Sequence, residues 1–488
     1  MMTALLDGWK ADPVRECLAG MVATFALIPE VIAFAFVAGV DPSVGLYASF
    51  VISVVIAFTG GRPAMISAAA GSVALVAAGL VHAHGIQYLL LATLLCGAFQ
   101  VVFGLLRLHV LMRFVSRSVR TGFVNALAIL IFSAQIPHVI GVSWHTWLLI
   151  GLGLAIIYGV PLVFTAIPSP LICIFALTAL VMVYPMPVAR VADLGHLPDG
   201  LPFPTLPHLP MTSETLGIVL PYALAMAMVG LLESLMTARV VDDMTGTPSD
   251  KRRESIGLGL ANFTTGIFGG IAGCGMIGQT VGNVRYGGRG RLSTLVAGAF
   301  LLLLMVTLRP VVAQVPVAAL VAIMVMVSAS TFSWSSLREL VTHPRLASTI
   351  MVATVVVVVL THNLAAGVAV GVLLSGIFFA SNVSSMLRVD RIAEPETGTL
   401  RFAVHGQIFF ASAELLEDAI EFAPADRPPS EIIIDLTDAH IWDITGTAAV
   451  EAVVANLQKH GHTVRLLGLN QGSAQLVERH SALPAANE

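Results

Sequence analysis

GGRPAMISAAAGSVALVAAG, residues 60–79, and FGGIAGCGMIGQTVGNVRYGG, residues 268–288, are two stretches rich in small residues, set inside a long hydrophobic region. Neither reads as a complete membrane-spanning helix. Glycine and proline delay helix formation at their starts. Each stretch therefore predicts a half-helix beginning at mid-membrane, near Ala70–Ser72 and near Ile277–Thr280, with its N-terminus in a cavity. Small residues alone also suit close helix packing. The matching positions of the two stretches in the two halves of the chain favour the half-helix reading.

The composition around them is that of a membrane protein. Hydrophobic residues make up 57% of the chain, charged residues 11%, and mean hydropathy is +0.89; soluble domains carry roughly 25% charge. Apolar runs recur between about residues 14 and 385 and give fourteen expected crossings, the tenth (274–284) unusually short. The expected organisation is a cytoplasmic segment 1–13, a seven-span repeat 14–186, a proline-rich external connection 187–215, a second seven-span repeat 216–385, and a soluble tail 390–488. Two tandem halves with an odd number of spans have opposite topology. If they share a fold they are inverted repeats, which bind substrate near the midplane where discontinuous helices meet.

Basic residues set the expected orientation, because Lys and Arg are retained on the cytoplasmic side. With the N-terminus inside, Arg15, Arg62, Arg107–Arg120, Arg239, Lys251–Arg253, Arg285–Arg291, Arg338, Arg345 and Arg388 fall inside, and only Arg190 and Arg309 fall outside. No signal peptide is apparent, since the first apolar run is long and carries Pro29 and Glu30. An inner-membrane, multi-pass protein with both termini cytoplasmic is expected.

Two glutamates, Glu30 and Glu233, lie in apolar runs near the start of each half. A carboxylate in hydrocarbon costs about 2.5–3.5 kcal/mol even on insertion scales, so it marks a partner or a water-filled cavity. Each free helix N-terminus carries roughly half a positive charge, so two converging ends supply about +1 and suit an anion. No Lys or Arg lies in the first turns; Gln279 and Thr280 offer neutral hydrogen bonds there. An ionised Glu30 would repel an anion, whereas burial favours its neutral form. Proton-coupled anion uptake is the resulting expectation.

Other chemistry is excluded or weak. GCGMIG (273–278) fits a dinucleotide pattern but follows no soluble strand, and no P-loop exists, which removes ATP-driven pumping. Cys17, Cys96, Cys173 and Cys274 lie far apart in apolar runs, so neither a disulfide framework nor a zinc spacing is present. His82 and His84 read as solvated loop residues. No enzyme activity, metal or cofactor is expected; the coupling ion would be a proton or sodium. A small anion and the lipid bilayer are the expected partners, and nucleic acid is not.

AGMVATFALIPEVIAFAFVAGVDPSVGLYASF (19–50), VGLLESLMTARVVDDMTG (229–246) and GLGLANFTTGIFGGIAGCGMIGQTVGNVRYGGRGRLS (257–293) resemble the sulfate permease family of anion transporters, over essentially the whole chain. The resemblance implies two inverted seven-helix repeats, with a core (spans 1–4 and 8–11) moving against a gate (spans 5–7 and 12–14), and commonly a homodimer. It places Glu30 and Phe34 at an anion site from span 1, Glu233 and Thr237 from span 8, and Ala70, Gly71, Ser72, Gly278, Gln279 and Thr280 at the half-helix starts. Gln279 falls where several relatives have arginine, and Ala69, Ala70 and Gly71 replace a Gly-Pro pair and following aromatic. Members carry sulfate, bicarbonate, chloride, iodide, oxalate or dicarboxylates. Glu233 would either help bind a coupling cation or brace the core. Sodium symport, exchange and channel activity stand as alternatives to proton symport.

The tail changes character. Strand-like 401–405, 431–436 and 463–469 alternate with helical 411–422, 445–460 and 473–481, which argues a small α/β domain. DLTDAHIWDITGTAAVEAVV (435–454) resembles the STAS domain that follows the membrane region in this family. Thr445, at a place phosphorylated in stand-alone STAS proteins, is expected here as a helix N-cap.

Overall fold

The computed structural model describes residue 9 and residues 12–164, 168–198, 200–342, 344–394, 399–420 and 431–480. Most of the expected N-terminal segment 1–13 lies outside them. The chain forms two compact units, Met1–Val372 and Leu373–Glu488.

Fourteen helices correspond to the fourteen expected segments. In the first half they are α1 (Pro13–Val37), α2 (Pro42–Thr59), α3 (Gly71–His84), α4 (Ile86–Leu105), α5 (Arg117–Ser133), α6 (Trp144–Gly159) and α7 (Ser169–Val183). In the second they are α8 (Ser213–Thr245), α9 (Lys251–Ile267), α10 (Ile277–Arg285), α11 (Arg291–Thr307), α12 (Val317–Thr331), α13 (Arg345–Thr361) and α14 (Leu364–Ser384). Eight are long and apolar enough to cross a membrane by length and composition, and α3, α7, α11 and α13 are shorter apolar helices. The N-terminus of α1 shows why the chain turns helical there: Asp12 accepts from Val14 N at 3.1 Å and Pro13 opens the first turn. At 33 residues α8 outruns its expected span 216–238, continuing through Arg239 and Asp242 to a left-handed Gly246.

Packing partners come in matched pairs: α1 with α11 and α8 with α4, α2 with α11 and α9 with α4, α3 with α8 and α10 with α1, α5 with α13 and α12 with α6. Each pair maps onto the other when the halves exchange, which is the signature of an inverted repeat. The exchange centres on a ladder the sequence did not reveal. Strands β1 (Ser67–Ala69) and β2 (Gly273–Gly275) pair antiparallel around Ala68 opposite Cys274, and each leads into a half-helix two residues later.

A three-residue ladder inside a membrane must satisfy its outer backbone groups from side chains. Asn262 Oδ1 accepts from Gly273 N at 2.9 Å and its Nδ2 donates to Gly273 O at 3.0 Å. Ser234 Oγ accepts from Gly275 N at 2.8 Å, and Thr237 Oγ1 donates to Gly275 O at 2.9 Å. Across the ladder, Ser49 Oγ accepts from Ala69 N at 3.1 Å and Ser53 Oγ donates to Ser67 O at 2.7 Å. Thr280 Oγ1 accepts from Ile66 N at 2.9 Å. Four helices thus hold the ladder, from both halves of the chain. Gly273 has no alternative here, because a Cβ would lie 1.9 Å from Ala68 O.

At one end of the bundle, cationic side chains tie the loops. Arg62 pairs with Asp242 at 3.0 Å, and Arg291 caps α2 through Ala57 O and Gly60 O at 2.9 and 2.7 Å. Glu254 receives Gly61 N and Arg62 N, while Glu16 receives Gly290 N and Ser293 N. At the opposite end the long connection folds back over the helix ends: Ser43 N donates to His196 O at 3.1 Å, Val191 N to Val315 O at 2.9 Å, and Val317 N to Ala189 O at 2.9 Å.

The second unit contains one four-stranded sheet in the order β3 (Arg388–Glu394), β4 (Thr399–Ile408), β5 (Glu431–Ile441), β6 (Thr463–Leu467). β3–β4 is antiparallel; β4–β5 and β5–β6 are parallel. Helices α15 (Ala413–Ala419), α16 (Ile444–Lys459) and α17 (Gln471–His480) complete it, with Phe402, Val404, Ile432, Ile434, Val450 and Leu457 in its core. Strand β3 was not expected. The N-cap of α16 is Asp443 rather than Thr445: its Oδ1 accepts from Gly446 N at 2.7 Å and its Oδ2 from Phe410 N at 3.0 Å. A carboxylate with two oxygens anchors both the helix and the preceding loop, and Thr445 is left exposed in the first turn.

Candidate functional site

The half-helices α3 and α10 start where the glycine-rich stretches place them, at Gly71 and Ile277. Their N-caps, Ala70 and Met276, make no side-chain cap hydrogen bond. The first N–H groups of each helix therefore lack an intrahelical partner and project as a partial positive charge.

Each start is met by a carboxylate from a long helix. Glu30 on α1 lies beside the Gln279 side chain in the first turn of α10. Glu233 on α8 accepts a hydrogen bond from Ser72 Oγ in the first turn of α3, and Cys274 is a second neighbour, its Sγ 3.9 Å from Ser72 Oγ. Both glutamates keep partial exposure although they sit deep in the bundle. Pro29 precedes Glu30 inside α1 and removes one backbone hydrogen bond from the helix at that level.

The two starts differ in what covers them. At α3, Ala70 and Ser72 are each 1% exposed, and the buried Phe34 ring lies over Gly71, 2.7 Å from where a Cβ would stand. At α10, Ile277 and Gly278 are exposed, and a Cβ at Gly278 or Gly282 would meet nothing within 4 Å. Ile277, Gly278, Val281, Gly282 and Arg285 form one helix face that keeps exposure from the start of α10 to its end. This open face therefore runs from the start of α10 to Arg285 at its end.

Helix packing shows the same asymmetry. The core helices of the first half touch the gate helices: α1 meets α12 and α7, and α3 meets α5. The mates of α1–α12 and α3–α5 under exchange of the halves, α8 with α5 and α10 with α12, are all but missing. Toward the opposite end Phe36 of α1 packs against His138, with ring centroids 4.1 Å apart, and the two line a pocket together with Val142, Thr146 and Val317.

Of the residues expected at the site, Glu30, Gln279, Gly278 and Phe34 gather around the open start of α10 and the covered start of α3. Thr280 is fully buried and holds Ile66, and Thr237 bridges Glu233 O and Gly275 O at 2.9 Å each. Their hydroxyls engage protein backbone rather than the open face of α10. Sequence reasoning missed Asn262 and Ser234, which hold β2 and so the start of α10; polar residues at those places in apolar helices were the available signal.

Two half-helices joined by a central ladder, each supported by helices of both halves, define a polytopic membrane protein of inverted-repeat type. The Sulfate permease family profile matches residues 15–354 and the STAS domain profile residues 391–484. The chain is 49% identical over 475 residues to "Putative sulfate transporter YbaR" of Bacillus subtilis (strain 168), covering 97% of this chain and 98% of that protein. The transmembrane domain of a cyanobacterial bicarbonate transporter, BicA, aligns with TM-score 0.66 at 26% identity, over 72% of this chain and 97% of that one. The fold is shared with the murine anion transporter Slc26a9 in its inward-facing state, at TM-score 0.82 and 18% identity, over 96% and 87% of the two chains. The chain belongs to the sulfate permease family of anion transporters.

Proposed function

We propose that this chain is a secondary carrier that takes up a small anion by proton symport, in a conformation open toward the cytoplasm. The observation that carries the reading is the unobstructed face of α10, which leads from bare N–H groups at Ile277–Gln279 to the arginine-rich end. By the positive-inside rule we read that end as cytoplasmic. The anion lies against the first turn of α10, over Gly278 and beside Glu30. Glu233 occupies the equivalent end of α3 through Ser72, so the positive charge offered to cargo comes mainly from one helix.

Glu30 is the proton-carrying group of this reading. It touches the same helix turn as the anion, and a proton on it removes the repulsion that an ionised carboxylate would exert. Sodium coupling at Glu233 and Thr237 has less support, because Ser72, Cys274 and the backbone of β2 already engage those groups. Sulfate and bicarbonate are the first substrates to test, from the names of the relatives. The STAS domain serves regulation, folding or contact within a homodimer.

The test is uptake of labelled sulfate, bicarbonate, chloride and a C4-dicarboxylate into proteoliposomes under an imposed inward proton gradient or an inward sodium gradient. Proton-driven accumulation of one anion supports the proposal. Accumulation driven only by sodium, or conductance without accumulation, refutes it.

A further inference from the structure

The eight-residue helix Ser335–Thr342, between α12 and α13, takes no part in the anion site. Its inward contact is Ser336, whose Oγ accepts from Asn125 Nδ2 of α5 at 2.8 Å. Asn125 Oδ1 also holds Ser333 N at 2.8 Å, which fixes the approach to the helix. The other side is apolar and uncovered: Leu337 is 50% exposed, Leu340 36%, Val341 87%, and Trp334 just before the helix 64%. These residues share one face at helical periodicity.

Cations surround this face. Arg338 and Arg345 are exposed, and neither guanidinium has a hydrogen-bond or ion-pair partner among the described residues. The N-terminal half of α13 lies beside α5, Gly122 packing against Met351 and Thr354, and Arg117 stands at the same junction with Ala347 and Ser348. Glu339 is the one acidic residue there, and it pairs with Arg117 at 3.0 Å. Three arginines, Arg117, Arg338 and Arg345, against one glutamate leave the junction positive.

The corresponding connection of the first repeat is a built-in comparison. Residues 134–143, between α5 and α6, also expose apolar side chains, with Ile136 at 42% and Ile140 at 69%. They include no Lys, Arg, Asp or Glu. The apolar character is repeated at both membrane surfaces, whereas the positive charge is present at one.

We propose that the helix Ser335–Thr342 with Arg338 and Arg345 is a docking site for an anionic phospholipid. The phosphodiester lies between the two guanidiniums, and the acyl chains run along Leu337 and Val341. Amphipathic helices with cationic borders lie in the interface in this way, and basic pockets between spans recognise acidic headgroups. The helix joins α12 to α13, both gate helices, so a lipid held there bears on the gate. The inference is independent of which anion is carried and of its coupling ion.

Native mass spectrometry of the full chain, released from mixed micelles with equal phosphatidylglycerol and phosphatidylcholine, tests it. The wild type is expected to retain phosphatidylglycerol preferentially. R338Q/R345Q is expected to lose that preference by about fivefold for each arginine removed. R239Q, at an exposed arginine on α8, is the control for diffuse attraction and should keep the preference. V341S, at a side chain with almost no protein contact, should weaken retention without disturbing the fold. An unchanged preference in R338Q/R345Q, or an equal loss in R239Q, overturns the proposal. Displacement of the lipid by free glycerol phosphate overturns it too, because it would make the headgroup alone the ligand.

Discussion

Gly278→Ala separates a site from a packing feature. A Cβ at Gly278 meets no atom within 4 Å, so the methyl fits without strain, and the same holds one turn later at Gly282. Replacing a helical glycine by alanine favours the helix by up to about 1 kcal/mol. On packing grounds both substitutions are therefore neutral or stabilising. On the transport reading they differ, because Gly278 lies in the first turn of α10 and Gly282 does not. A methyl over that turn denies the anion one charge-assisted hydrogen bond from the backbone, worth about 1.5–3 kcal/mol. That loss corresponds to a rise of roughly 10- to 150-fold in KM. The assay is initial-rate uptake in proteoliposomes across substrate concentration, with thermal unfolding of the same preparations. G278A should be at least as stable as wild type yet bind poorly, and G282A should resemble wild type in both. An unchanged KM for G278A, or an equal rise for G282A, refutes the placement of the anion.

Three further outcomes follow from other parts of the chain. Glu30→Gln removes the titrating group but keeps a polar side chain beside Gln279; uptake should lose its dependence on the proton gradient while downhill exchange persists, and an unaltered dependence would sink the coupling role. Asn262→Leu leaves Gly273 N and O unpaired in the bundle interior, and two such groups cost roughly 2–6 kcal/mol together; a purified variant melting with wild type would show that the ladder is held by other means. In the STAS domain, burial alone would raise the Asp435 carboxyl, but hydrogen bonds from Thr437 and Arg401 outweigh it and hold the group below the usual carboxylate range. A depressed native value contributes stability that is fully present above the unfolded value of about 3.9 and is lost as pH falls through the native one. Acid unfolding followed by circular dichroism should thus lose this component in Asp435→Asn, which is destabilised at neutral pH as well; identical acid profiles would contradict the assignment.

The starts of α3 and α10 were legible because glycine and proline punctuate the chain wherever it must leave the helix. The crossings were legible because a bilayer demands continuous apolar length. The β1–β2 ladder was not, since three residues of serine, alanine, cysteine and glycine carry no strand pattern and their support comes from Ser49, Ser53, Ser234 and Asn262, distant in sequence. The hydrophobic window also misjudged α8, since it measures membrane thickness and not helix length; past residue 238 the helix continues in polar residues anchored by Asp242 to Arg62 and Lys251. The pairings Glu30–Gln279 and Glu233–Ser72 cross between helices, and no spacing within one segment encodes them. The helix Ser335–Thr342 fell between two expected spans ending at 333 and starting at 347.

The ladder around Ala68 and Cys274 fixes the two half-helix starts to each other by backbone, with side chains from both halves clamping its edges. A joint clamped in this way holds the two starts together, so on the proposed reading they would travel as one cradle through a transport cycle. Recognition of the anion, on that reading, would reside in a part that does not bend. New selectivity would have to be written into the few side chains that lean over the cradle, Glu30, Phe34 and Gln279, and not into how far it moves.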